Sequence, residues 1–253
     1  MKNSRKILMI SLFMAMAITA NAQLEWGMKA GLNLSTFSGL EAYADSAELT
    51  FQPGLHAGLT IQYMFTPQLG IETGLLYSML GTKMTEYAFY GKGSLPSISD
   101  DVNLDYAECS FNPSYLQLPV SLLYKFKLAD DLYLYPSLGL YFGFGIGGDG
   151  KWTVGYRDRV LIFSEPKEIV NAVTLFGKDE PGGDVAAIKV ITKANRFDMG
   201  MTAGLTFQVN RVAIGLGFEQ GLSRFDKEFS PEGIFGKGAL KNRNIKVSIG
   251  YFF

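Results

Sequence analysis

The chain of 253 residues holds one cysteine, one histidine and two tryptophans. A lone Cys109 cannot close an internal disulfide, so no disulfide framework holds this fold. One histidine and one cysteine also fall short of a zinc set, which needs several N and S donors at fixed spacing. Charge of one sign is missing too: 23 Lys+Arg stand against 24 Asp+Glu. That balance excludes the basic surface expected of a nucleic-acid binder. Only nine prolines occur, and no Pro/Ser-rich linker divides the chain. Beyond the N-terminus there is no apolar run of the roughly 20 residues that a membrane-spanning helix needs.

The N-terminus is a different kind of segment. Lys2, Arg5 and Lys6 precede an apolar stretch from Ile7 to Ala20, and Ala20-Asn21-Ala22 follows with small residues flanking one polar residue. This pattern predicts a signal peptide over residues 1–22, cut after Ala22, and an exported protein. Without its three basic residues the remaining chain carries a net charge of −4. Residues 23–253 are expected to form one β domain.

What the chain has in abundance is alternation. Eight segments place bulky apolar residues on one face and small polar residues or glycine on the other, the period-two signature of a strand. They begin near Trp26, Phe51, Leu69, Tyr115, Leu132, Phe197, Val212 and Asn244, the last running to Phe253. Thr66-Pro67-Gln68, Lys127 to Asp131 and Asn210-Arg211 join them as short connections. Long ones span about 38–50, 84–109, 147–195 and 224–242. Short and long connections in strict alternation, with an even strand count, predict an eight-stranded antiparallel up-and-down transmembrane β-barrel with long external loops. The bulky face lacks charge, as lipid demands, since a charge at the midplane costs about 2–4 kcal/mol. The other face, rich in glycine, suits a narrow lumen. The expected location is the outer membrane, with Gly250, Tyr251 and Phe253 as the closing-strand signal read by the β-barrel assembly machinery.

Eight strands leave an interior that side chains fill, so a packed polar lumen is expected rather than an open channel. Lys29, His56, Glu72, Gln117, Lys125, Asp198, Glu219 and Lys246 all fall on the inward face and form its expected structural network. Ion pairs Glu72–Lys125 and Glu219–Lys246 are predicted, because buried charges require partners. His56 is expected inside at mid-height, away from any external substrate, so no catalytic set of nucleophile, base and orienting acid is proposed. No cofactor or metal is expected. Asp149, Asp179, Glu180 and Asp184 lack the fixed spacing of a calcium loop and are read as solvated turns. Ser164 to Gly177 places Ile169, Val170, Val173 and Phe176 at helical spacing, so this region holds either a short helix or strands extended above the membrane.

Several motifs resemble those of the PorT-like outer-membrane β-barrel proteins of Gram-negative bacteria, often called a porin family. They are Gly31-Leu32-Asn33-Leu34-Ser35, Phe51-Gln52-Pro53-Gly54-Leu55-His56-Ala57-Gly58, Glu72-Thr73-Gly74-Leu75-Leu76-Tyr77-Ser78, and Tyr115-Leu116-Gln117-Leu118-Pro119. Arg196-Phe197-Asp198 and the ending Gly250-Tyr251-Phe252-Phe253 complete the match. Gln117 stands where this family usually has glutamate. The resemblance implies an eight-stranded outer-membrane barrel and no single activity; one member is associated with type nine secretion. The expected role is structural, displaying loops or docking to another envelope component through loops or periplasmic turns. A narrow channel for small solutes is the alternative, and a lipid-modifying enzyme ranks last. Membrane lipid is the expected surrounding partner, nucleic acid is not, and a monomer is expected.

Overall fold

The computed structural model describes residues 24–41, 47–87, 102–158, 167–176, 194–225 and 237–253. They form β1 (Leu24–Glu41), β2 (Ala47–Met64), β3 (Leu69–Met79), β4 (Thr82–Tyr87), β5 (Val102–Tyr124), β6 (Phe126–Ala129), β7 (Leu132–Asp158), β8 (Lys167–Thr174), β9 (Phe197–Val209), β10 (Val212–Gly221) and β11 (Lys237–Phe252). All pairings are antiparallel.

These eleven segments make eight staves. A break at Leu80-Gly81 separates β3 from β4, and one at Lys125 separates β5 from β6. Each broken pair continues one stave, and β8 pairs only with β7. The ring closes where β1 meets β11, from Gly27↔Phe252 to Glu41↔Lys237. Closure removes the free edges that lipid cannot satisfy. At the top of this seam a bulge falls between Ser38 and Leu40, and Gly39 takes φ 84°, a backbone conformation that favours glycine.

The short connections are local chemistry. Asp131 (φ 59°) and Asn210 (φ 52°) adopt the left-handed conformation of tight hairpin turns, which Asp and Asn tolerate. Between β2 and β3, Phe65 N–H donates to the Leu69 carbonyl at 2.9 Å, and the Thr66 hydroxyl accepts from Leu69 N–H at 2.8 Å.

Much of what alternation alone assigned to external loops is strand. β1 runs to Glu41, β2 starts at Ala47, β4 and the first part of β5 pair above Ser114, and β7 runs on to Asp158. Of the two alternatives for 164–177, the helix is not formed over Lys167–Thr174; those residues pair with β7 from Tyr156↔Lys167 to Asp149↔Thr174. The β-branched residues in Ile169-Val170 and Val173 favour a pleated partner over a helix. The extended-strand alternative is the one realised there. The signal segment and Asp179, Glu180 and Asp184 lie outside the described residues.

Outward side chains form an apolar girdle. On β11, Ile245, Val247, Ile249, Tyr251 and Phe253 are 36–59% exposed, and Trp26, Leu55, Leu118, Leu138 and Ile214 repeat this around the ring. An exposed apolar band on a closed ring is the lipid-facing surface of a barrel. At its lower border Trp26 stacks on Phe253 at 4.7 Å, and Phe253 N–H donates to the Trp26 carbonyl at 2.9 Å. Tyr251 points outward beside Phe253, whereas Gly250 faces Lys29 in the lumen.

Candidate functional site

Inward side chains are stacked in layers along the barrel axis. The lowest is apolar: Met64, Leu123 and Tyr135 pack together, with Tyr133 against them. Lys125 does not pair with Glu72 as alternation suggested. It lies over Tyr133 at 4.2 Å and Tyr135 at 5.7 Å, a cation–π arrangement at the barrel's lower end. Lys125 keeps the inward side that strand parity gives it, but these rings rather than Glu72 are what it meets there.

Glu72 is instead held by Lys29 at 2.5 Å and by Gln62 Nε2 at 2.7 Å. The partner comes from β1, two staves away from β3. Across a narrow lumen, long side chains reach past the adjacent strand, and a prediction limited to neighbouring strands cannot see this.

Higher up, Lys246 Nζ lies 2.5 Å from Glu219 and donates to Gln117 Oε1 at 3.0 Å. Asn244 Nδ2 donates to Glu219 at 3.2 Å and to Asn33 Oδ1 at 3.3 Å. His56 joins the same layer, with Nδ1 at 2.9 Å from Asn33 Oδ1 and Nε2 at 2.9 Å from Ser248 Oγ. With both ring nitrogens engaged, His56 ties β2 to Asn33 on β1 and Ser248 on β11. Gln117 fits the charge count: Glu219 already neutralises Lys246, and a neutral acceptor leaves the cluster balanced.

Asp198 forms a separate layer. It accepts from Ser223 Oγ at 2.7 Å, Asn242 Nδ2 at 2.9 Å and Tyr141 Oη at 3.1 Å. Asn33, Asn242, Asn244 and Tyr141 were not among the expected network residues. The signal for the asparagines was present, since Asn242, Asn244 and Lys246 continue one inward face of the closing strand.

Above Asp198 the interior turns apolar again. Phe37, Leu80, Met84, Phe111, Phe225 and Leu240 are all at most 3% exposed. Phe37 and Phe225 have ring centroids 4.8 Å apart, with Phe111 at 6.1 and 5.8 Å from them. The polar network therefore lies between two apolar layers. Within it remains a cavity of about 90 Å³, bounded by Lys29 and Glu72 below and by His56, Glu219 and Lys246 above. Gly204, Gly215 and Gly217 leave part of its wall bare of side chains. Among the described residues no group of His, Cys, Asp or Glu is arranged to hold a metal ion.

Residues 16–227 match the family described as "Outer membrane protein beta-barrel domain". No curated protein matches the chain. Among solved structures, the chain is similar to Ail, the attachment invasion locus protein of Yersinia pestis, at 14% identity and TM-score 0.35, covering 90% of this chain and 98% of that one. It is also similar to Neisserial surface protein A, at 10% identity and TM-score 0.35 over 90% of this chain and 97% of that one. OprG from Pseudomonas aeruginosa gives 11% identity and TM-score 0.32 over 92% and 98%. These likenesses are too remote to argue from, but the family match spans most of the sequence and agrees with the closed ring and its apolar girdle. The chain belongs to the outer-membrane β-barrel domain family.

Proposed function

We propose that this protein is a closed, monomeric structural barrel of the PorT-like group, holding a rigid external sheet for another envelope component to dock on. The observation that carries the reading is the pair of apolar layers at the ends of the lumen. Met64, Leu123 and Tyr135 pack together at the lower end, and Phe37, Phe111 and Phe225 pack together at the upper end. Hydrated solutes crossing either layer must shed water against hydrocarbon, a cost of several kcal/mol for a polar group and more for an ion. A protein built this way contributes its surface rather than a conduit.

Export through a signal peptide cut after Ala22, and insertion by the assembly machinery through Gly250, Tyr251 and Phe253, belong to the same reading. The motifs from Gly31 to Ser35 and from Tyr115 to Pro119 support its PorT-like assignment. In the same reading His56 is a structural cross-brace inside the lumen, held by Asn33 and Ser248. The second reading, a narrow solute channel, draws on the polar cavity of about 90 Å³ between the layers.

Planar-bilayer recording on the purified full-length protein decides between them. The structural reading expects no unitary current steps from a preparation whose unboiled form migrates as a folded barrel on a gel. Steady openings from that same preparation would establish the channel.

A further inference from the structure

The lipid-facing column of β11 ends in two cations. Phe253, Tyr251, Ile249, Val247 and Ile245 face outward in turn, and the same face continues with Arg243 and then Lys241. Phe253 to Arg243 is ten residue steps; at about 3.4 Å per residue and a tilt near 40°, that rises roughly 26 Å. An apolar barrel girdle is about 25 Å tall. With Trp26 and Phe253 marking its lower border, Arg243 therefore stands at the height of the outer-leaflet headgroups.

Arg243 is held there by a hydrogen-bonded brace that spans three staves. Its Nε donates to Gln220 Oε1 at 3.0 Å, and Gln220 lies directly opposite it on β10. Gln220 Nε2 donates to Ser38 Oγ at 2.8 Å, and Ser38 Oγ donates to the Lys241 carbonyl at 3.3 Å. Ser38 is the β1 partner of Lys241 in the register. The brace uses neutral acceptors only, and among the described residues no carboxylate pairs with Lys241 or Arg243. The outward face across the barrel differs. There Lys83 is paired with Glu108 at 2.7 Å, and Asp149 accepts from Asn112 at 3.3 Å.

A guanidinium fixed through Nε presents its two terminal nitrogens as a fork, the geometry that matches a phosphate. Lys241 adds a second point charge on the same face. We propose that Lys241 and Arg243, braced by Gln220 and Ser38, bind the phosphate group of an outer-leaflet glycolipid whose acyl chains lie along Ile245, Val247 and Ile249. The assignment rests on the membrane-barrel reading above. Lipid is favoured over free phosphate because the cations directly continue an exposed apolar column.

The test is native mass spectrometry of the full-length protein titrated with diphosphorylated lipid A and, separately, with the same lipid after dephosphorylation. Wild type is expected to retain the phosphorylated lipid at least about tenfold better, one charge-assisted contact's worth of affinity. K241Q/R243Q should lose that preference, and Q220L should lose part of it with both charges intact. Equal retention of the two lipids by wild type, or an unchanged preference in K241Q/R243Q, overturns the proposal. Displacement of the lipid by inorganic phosphate at matched concentration overturns the choice of lipid as the source. Heat-modifiable gel migration of each sample, run alongside, reports separately on the barrel itself.

Discussion

The wall inside the membrane and the wall above it are built from the same strands with opposite polarity. On β5, Leu116, Leu118 and Leu122 face out while Gln117 and Ser121 face in. A few residues earlier on that strand, Ser110 and Asn112 lie on the outward face, and Cys109 and Phe111 are buried. The in/out alternation of β5 runs on unbroken past a register shift against β7 between Ser114 and Tyr115; what changes is the surroundings. Below the rim the outside is hydrocarbon, so apolar side chains belong there and hydrogen-bonding ones turn inward. Above the rim the outside is water, and the usual burial rule returns. The height at which polarity inverts, between Ser114 and Leu116, marks the membrane border on this stave as clearly as Arg243 does on β11.

The most severe way to break this contrast is to make the lumen resemble the external core. Lys246→Met leaves Glu219 buried with only Asn244 described beside it. Removing one partner of a buried ion pair costs about 3–5 kcal/mol. Denaturant unfolding of protein refolded into lipid vesicles should show a loss of that size. The double change K246M/E219Q should recover much of it, because no unpaired charge remains. A single variant as stable as wild type would show that water, not protein, solvates Glu219.

Phe111→Ala attacks the other region. Truncating a fully buried phenylalanine costs about 3–5 kcal/mol in a closed core, but here the loss should stay above the rim. Cys109 is a built-in reporter, since its thiol is buried and free. Burial pushes the Cys109 thiol well above its ordinary value of 9.0, and Glu108 pushes it the same way. In the folded sheet it should resist maleimide; in Phe111→Ala it should label quickly while the barrel still migrates as folded. The sign of the pH effect follows from linkage. A raised acid favours the folded sheet fully below the unfolded thiol's value, and that contribution is lost as pH rises above 9. Labelling should therefore accelerate in alkali by more than thiol ionisation alone explains.

That inversion also explains what was legible in the sequence. The lipid-facing rows were plain, because alternation there is strict and uncharged, and closure of the last strand on the first followed from strand count. The inward charges were legible individually, as parity put Lys29, Glu72, Glu219 and Lys246 on one face. Their partners were not, since Glu72 reaches across the lumen to Lys29 and Lys125 settles on the rings of Tyr133 and Tyr135. Above the rim the apolar residues change faces, from Leu116 and Leu118 to Phe111 and Cys109. A reader following one phase meets that change as the end of a strand. The upper apolar layer and the external sheet were hidden by it. Loss of alternation relative to one fixed face is the wrong criterion when the solvent outside that face changes.

The mildest test compares two ion pairs of identical chemistry. Lys83–Glu108 and Lys246–Glu219 have Nζ–Oε distances of 2.7 and 2.5 Å, but their side chains are 36% and 30% exposed in the first case and 10% and 4% in the second. Distance alone would rank them as near equals. Solvent screening ranks them far apart: an exposed pair contributes about 0.2–1 kcal/mol, against several for breaking the buried one. Glu108→Gln should thus shift the unfolding midpoint slightly, and that small difference should vanish in 1 M salt, where the Debye length falls to about 3 Å. The penalty of Lys246→Met should persist in the same salt, because the lumen layers above and below it exclude the ions that screen the surface. Equal salt sensitivity at the two sites would mean that the lumen is open to bulk electrolyte, and the contrast between the two walls would then stop at their outer faces.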